Sequence, residues 1–160
     1  MYSKKTYAFF AFISALWIIV LSANLMAQTT KQEEIDLNDF MGARLYKVFN
    51  TFGTPSDVYC SADGKGEVIL DYGIFALQIG NKTVTIVYFW SNFTSTVFGL
   101  KMGMPKDDII KTLGKPGDIK TSAADNNEIL IYKLSDTDRM LIIFLDKNNK
   151  IYRMQIEWLS

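Results

Sequence analysis

The chain has 160 residues, with 17 basic and 17 acidic side chains, no histidine and one cysteine. An even charge balance excludes the clustered Lys and Arg of a nucleic-acid binder. The missing histidine excludes Ser-His and Cys-His nucleophile pairs and the commonest zinc ligand. Lys4 and Lys5 precede a stretch from Thr6 to Thr30 that carries no charge. Its apolar centre is Ala8–Leu21, and Ala27-Gln28 offers a cut after a small residue. A basic start, an apolar run and a small residue at the cut mark a secretory signal peptide over 1–27. The rival is an uncleaved anchor, since Tyr7–Ala27 matches the ~20 residues that span a bilayer. The chain is therefore expected to be exported, periplasmic or secreted, and membrane-anchored if the segment is kept.

Gln28–Glu34 is polar, and residues 28–36 read as a flexible leader to a single domain over 37–160. Apolar residues then recur at Leu37, Met41, Leu45, Val48 and Phe52, the spacing of a helix face. Gly42 interrupts that face at a cost of up to ~1 kcal/mol against alanine. The helix either runs through it or begins just beyond, near Ala43 or Arg44. Gly53 and Pro55 end it. Asp57–Ala62 reads as a short extended segment, followed by strands over Glu67–Tyr72, Ile74–Ile79 and Thr83–Trp90. Alternation puts Val84, Ile86, Tyr88 and Trp90 on one face of the last strand, with Val87 and Phe89 on the other. Cys60 has no partner for an internal disulfide and is expected to be a small half-buried filler.

The second part, 97–160, opens on Gly103. Pro105 suits the first helical position, Asp107 and Asp108 suit the first turn, and Gly114 and Pro116 stop the helix. Strands follow over Glu128–Leu134, Met140–Leu145 and Lys150–Leu159. In the last of these, Tyr152, Met154, Ile156 and Trp158 alternate with Ile151, Arg153, Gln155 and Glu157.

The two parts align. Gly42–Asp57 falls on Gly103–Asp118, so that Gly42 meets Gly103, Gly53 meets Gly114 and Pro55 meets Pro116. A repeat of this kind predicts an α+β fold of two tandem α-β-β-β units, 37–96 and 97–160. Both helices would pack on one face of a continuous antiparallel sheet.

No residue stands out as catalytic, and no metal or cofactor is expected. Glu67 and Glu128 are the one carboxylate pair that the repeat makes symmetrical, but each opens a strand after a turn, where a solvated acid is ordinary. Asp136, Asp138 and Asp146 lack the order of a calcium loop. What remains is surface. Tyr and Trp are common at interface hot spots, and an aromatic patch on the open sheet face is the expected binding surface. Val87, Phe89, Tyr152, Arg153 and Trp158 are its candidate residues.

The motif from Gly103-Met104-Pro105 to Leu113-Gly114-Lys115-Pro116 resembles the signature of the small periplasmic SmpA/OmlA (BamE-like) group. The tandem arrangement resembles the secreted β-lactamase inhibitor proteins. The resemblance implies an exported, non-enzymatic binding or scaffolding domain whose partner is another envelope or secreted protein. The alternative is a small-ligand carrier or weak catalyst with a concave pocket around Glu67, Tyr72, Glu128 and Tyr132.

Overall fold

Gly42 decides where the first helix starts. Its φ of 77° lies in the left-handed region, which glycine enters at little steric cost and which no α-helix passes through. The apolar face that begins at Leu37 is therefore broken in two. Leu37–Phe40 forms a 3-10 turn, whose Asn38 N–H donates to the Asp36 carboxylate at 2.9 Å. The helix α1 spans Leu45–Phe52, and α2 spans Lys106–Leu113. Pro105 is the extended residue before α2 rather than its first helical residue. This computed structural model describes residues 36–62, 66–135 and 137–159, which belong to one unit, Asp36–Ser160. The expected signal peptide, its anchor alternative and the leader up to residue 35 lie outside the described residues.

Each helix is followed by four strands. After α1 come β1 (Asp57–Cys60), β2 (Val68–Asp71), β3 (Phe75–Gly80) and β4 (Thr83–Phe89). After α2 come β5 (Asp118–Thr121), β6 (Glu128–Lys133), β7 (Arg139–Leu145) and β8 (Ile151–Trp158). All join one antiparallel sheet in the order β1-β2-β3-β4-β8-β7-β6-β5. The expected tandem of α-β-β-β units is thus corrected to a mixed α+β fold that is mostly sheet, with eight strands and two α-helices among the described residues. The miscount falls on the edges. Every residue of β1 and of β5 is exposed, so neither strand carries the buried–exposed alternation by which a strand is recognised. Each is held by the backbone ladder to one neighbour.

The register explains the core. Leu70, Leu77, Val87, Ile156, Leu141 and Tyr132 stand side by side on successive strands. Phe75, Phe89, Met154, Ile143 and Leu130 form the adjacent row. All are buried, and Val48 of α1 and Ile109 of α2, both at 0% exposure, belong to the same apolar cluster. Phe40, Phe52 and Phe75 interlock beneath α1, with ring centroids 4.6 and 5.0 Å apart. Both helices are therefore seated on the face that carries these rows.

The C-terminal ends of the helices are fastened to the sheet in the same manner. The Tyr72 hydroxyl donates to the Gly53 carbonyl at 3.2 Å, and the Tyr132 hydroxyl to the Gly114 carbonyl at 3.2 Å. Those carbonyls are among the groups a helix cannot satisfy internally.

Two outcomes follow. Leu141→Ala removes a fully buried side chain from the middle of the first row and should lower the unfolding free energy by about 3 kcal/mol, read from urea denaturation. Burial pushes the Tyr72 and Tyr132 phenols above their ordinary 10.0, so the folded chain holds those protons more tightly than the unfolded chain. The stability they contribute is whole below pH ~10 and declines as pH rises past it. Tyr72→Phe with Tyr132→Phe should flatten that alkaline decline while costing about 1 kcal/mol per lost hydrogen bond near neutral pH.

Candidate functional site

Two bulges sort the side chains between the faces. Between β3 and β4, Gln78 pairs with Ile86 and Ile79 with Val84, leaving Thr85 as an extra residue. An extra residue reverses the alternation beyond it. Val84 therefore enters the helix-covered core at 0% exposure, while Ile86, Tyr88 and Trp90 lie on the opposite face. Between β7 and β8, Phe144 pairs with Arg153 and Leu145 with Ile151, so Tyr152 is the extra residue. It leaves the Met154 row and meets Phe144, ring centroids 6.3 Å apart.

The five expected partner-binding residues are consequently divided. Val87 and Phe89 are 0% and 1% exposed beneath the helices and offer nothing to a partner. Phe89 packs edge-on against Phe93 at 5.0 Å. Trp158 follows Met154 and Ile156 along β8, and its ring lies 3.5 Å from where a Cβ on Gly42 would stand, so it belongs to the helix side. Tyr152 and Arg153 remain together on the face away from the helices. Cys60, expected to be half buried, is exposed on the edge strand β1.

Around Arg153 the face away from the helices has a distinct centre. The guanidinium lies over the Phe144 ring, 3.7 Å from its centroid, and the Arg153 Nε is buried without a hydrogen-bond partner. Trp90 follows the last residue of β4 and lies with Tyr88 on this face. Trp90 stacks on Tyr88, with centroids 5.5 Å apart and planes at 10°. The Trp90 indole N–H donates to the Asp71 carboxylate at 3.4 Å. Trp, Tyr and Arg held by such contacts lose little freedom on binding and are the types that dominate interface energies.

Flanking this centre, the two halves of the face differ in chemistry. On the β1–β4 side, Gln78 is 2% exposed. Its amide donates to the Glu67 carboxylate and accepts from the Tyr88 hydroxyl. The Thr85 hydroxyl donates to Glu67 at 3.3 Å. Tyr59 lies near Asp71 and Asp57, and burial followed by these carboxylates pushes its phenol above 10.0. On the β5–β8 side, Met140, Ile142, Phe144, Ile131 and Ile129 are half buried and apolar. No sequence signal separated Gln78 from an ordinary strand glutamine.

Glu67 and Glu128 are not brought together. Glu67 directly precedes β2 and Glu128 begins β6, and these strands are separated by five strand spacings, about 24 Å. Glu128 pairs instead with Lys106. Tyr72 and Tyr132 are engaged at the helix ends, so the pocket expected around these four residues does not form. A shallow hollow lies elsewhere, lined by Arg44, Leu45, Tyr46, Asn81, Lys82 and Thr83. Among the described residues no cluster of acids and cysteine could hold a metal ion.

Gly80 leaves room for the Glu67 carboxylate, which a Cβ there would strike. Gly80→Ala should displace that carboxylate from the buried Gln78 amide and lower stability by about 1–2 kcal/mol, measured by chemical denaturation.

No protein-family model matches the chain, and no curated protein matches it. Solved structures do. An extracellular protein containing a SCP domain from Bacillus anthracis superposes with a TM-score of 0.59 at 14% identity, over 80% of this chain and 47% of that one. A cysteine-rich secretory protein from Staphylococcus aureus gives 0.54 at 16% identity, over 78% and 45%. A DUF4309 family protein from Bacillus subtilis gives 0.50 at 11% identity, over 72% and 78%. The chain spans less than half the length of the first two. At these identities the likeness is one of fold. It replaces the BamE-like resemblance, whose helix ended by Gly-x-Pro is a local motif that an eight-stranded sheet of this kind also contains.

Proposed function

We propose that the chain is an exported, non-enzymatic protein-binding module that uses the sheet face away from its helices. One observation carries the proposal. Arg153 stands beside Phe144 on that face, with Tyr152 against Phe144 and the stacked rings of Tyr88 and Trp90 at the end of neighbouring β4. Arg153 is pre-set over an aromatic ring with a buried Nε that has no partner. A group held in this way binds without first having to be ordered. Export is supported by the uncharged N-terminal run and by structural neighbours described as extracellular or secretory. Among the described residues no helix is long and apolar enough to cross a membrane. A binding role that needs no catalyst agrees with a chain that lacks histidine and keeps Glu67 and Glu128 apart.

The test is affinity capture of the tagged full chain from envelope and culture fractions. The reading predicts a dominant companion that is lost with Arg153→Glu and with Trp90→Ser, each variant keeping its native circular dichroism. Tyr46→Ser, at a side chain 66% exposed on α1, should leave capture unchanged. Capture that survives both face variants, or fails with Tyr46→Ser, would overturn the proposal.

A further inference from the structure

We infer that Gln78 is a positioning residue for the binding face: it fixes the plane of the Tyr88 ring and, through the ring stack, that of Trp90. This rests on the proposed binding role of the face. Both α-helices lie on the other side of the sheet, so these rings are held by their own neighbours. Gln78 pairs with Ile69 of β2 and Ile86 of β4, which puts its side chain on the face away from the helices. It is nevertheless only 2% exposed, and Ala76, two residues earlier on the same face, is 0% exposed. Side chains of neighbouring strands therefore lie over β3. Tyr88 is one of them. The register sets it opposite Ala76, yet its hydroxyl reaches Gln78, so its ring leans diagonally across the small alanine.

The bonds around Gln78 have a set direction. An ionised carboxylate only accepts, so Glu67 engages the amide nitrogen, while the Tyr88 hydroxyl donates to the amide oxygen. Turning the amide over would set its oxygen against the carboxylate, so the group has one orientation. Glu67 is held in turn. The Thr85 hydroxyl donates to it at 3.3 Å, and Gly80 leaves the space that its carboxylate fills. From Tyr88 the order passes to Trp90, whose ring lies 5.5 Å away with its plane within 10°. The Asp71 carboxylate accepts the indole N–H at 3.4 Å. Trp90 is thus fixed on one face and at one edge.

Stability alone gives no reason for a glutamine here. The net contribution of a hydrogen bond is small, and an apolar side chain of similar volume gains as much from burial. What an apolar side chain lacks is direction. A fully satisfied polar network rigidifies its members, and a side chain that is ordered beforehand loses little freedom on binding. Gln78 is too deeply buried to touch a partner. It acts through Tyr88.

The test is nitrogen-15 relaxation of the Trp90 indole in the full chain, its resonance identified among the three tryptophans by its absence from Trp90→Phe. The native chain should give an order parameter of about 0.85, and Gln78→Met, similar in shape but without the amide, one below about 0.6. Tyr88→Phe removes only the hydroxyl and should loosen the indole equally. The two changes together should loosen it no further, because both cut one link. Glu67→Gln keeps an acceptor oxygen and should stay rigid. With native circular dichroism, Gln78→Met and Tyr88→Phe should each weaken capture of the companion about tenfold, since two side chains must then be ordered on binding. Should Gln78→Met lose its native circular dichroism, Tyr88→Phe decides alone. An indole that stays rigid in these variants, loosens further when they are combined, or loosens in Glu67→Gln would overturn the inference. If capture is lost with Trp90→Ser but unchanged by Gln78→Met and Tyr88→Phe, the positioning role falls and the binding role stands. If capture depends on neither Arg153 nor Trp90, the binding role falls and takes the inference with it.

Discussion

The seam between β4 and β8 is the contact on which the rest of the molecule depends. It joins four strands that follow α1 to four that follow α2. It consists of the pairs Ile86–Glu157, Val87–Ile156, Tyr88–Gln155 and Phe89–Met154. On the helix side its residues Val87, Ile156, Phe89 and Met154 are all at 0–1% exposure. Burying four large side chains there contributes several kcal/mol, comparable to the whole net stability of a domain. Neither half could keep its own core dry without the other, because Leu141 and Ile143 continue the rows that begin at Leu70 and Phe75. On the other face the same seam sets Tyr88 beside Gln155 and Ile86 beside Glu157. Stability and the proposed binding surface are thus two sides of one set of backbone pairings.

The bulges convert that seam into a surface with a defined chemistry. Had β4 kept strict alternation from Val84 onward, Val84 would share a face with Tyr88 and Trp90. The extra Thr85 turns Val84 inward, and the Thr85 hydroxyl bonds the Gln78 carbonyl at 3.3 Å. Had β8 alternated strictly, Tyr152 would lie under the helices with Met154. The bulge opposite Phe144 and Leu145 sends it to the other face, next to Arg153. One added residue in each half therefore decides which aromatic rings are core and which are available.

This also explains what the amino-acid sequence disclosed. The helices, their glycine ends and six of the strands are legible, because burial on one face imposes spacing on the chain, and β1 falls within the expected extended segment Asp57–Ala62. Gly53 and Gly114 were read as helix ends, and both are. The edge strand β5 was not legible, since Asp118-Ile119-Lys120-Thr121 has no buried member. Val87 and Phe89 were expected on the binding face and Tyr152 was grouped with Trp158. Those assignments followed alternation, which has no means of marking an unpaired residue such as Thr85 or Tyr152. The setting of Arg153 over Phe144 depends on register between two strands, a long-range fact with no local signature. The motif that resembled the BamE-like group was real as a helix-terminating element, yet a helix end alone does not fix the number of strands that follow it.

If the proposed binding role holds, the face away from the helices is occupied when the protein is at work. Hydroxyl-radical footprinting of the chain in its native fraction, compared with the purified chain at high dilution, tests this directly. An occupied face gives protection of Trp90, Met140 and Tyr152 in the native fraction, with Tyr46 and Phe49 on α1 labelled equally in both. Protection confined to Tyr46 and Phe49, or equal labelling of all five, would contradict it.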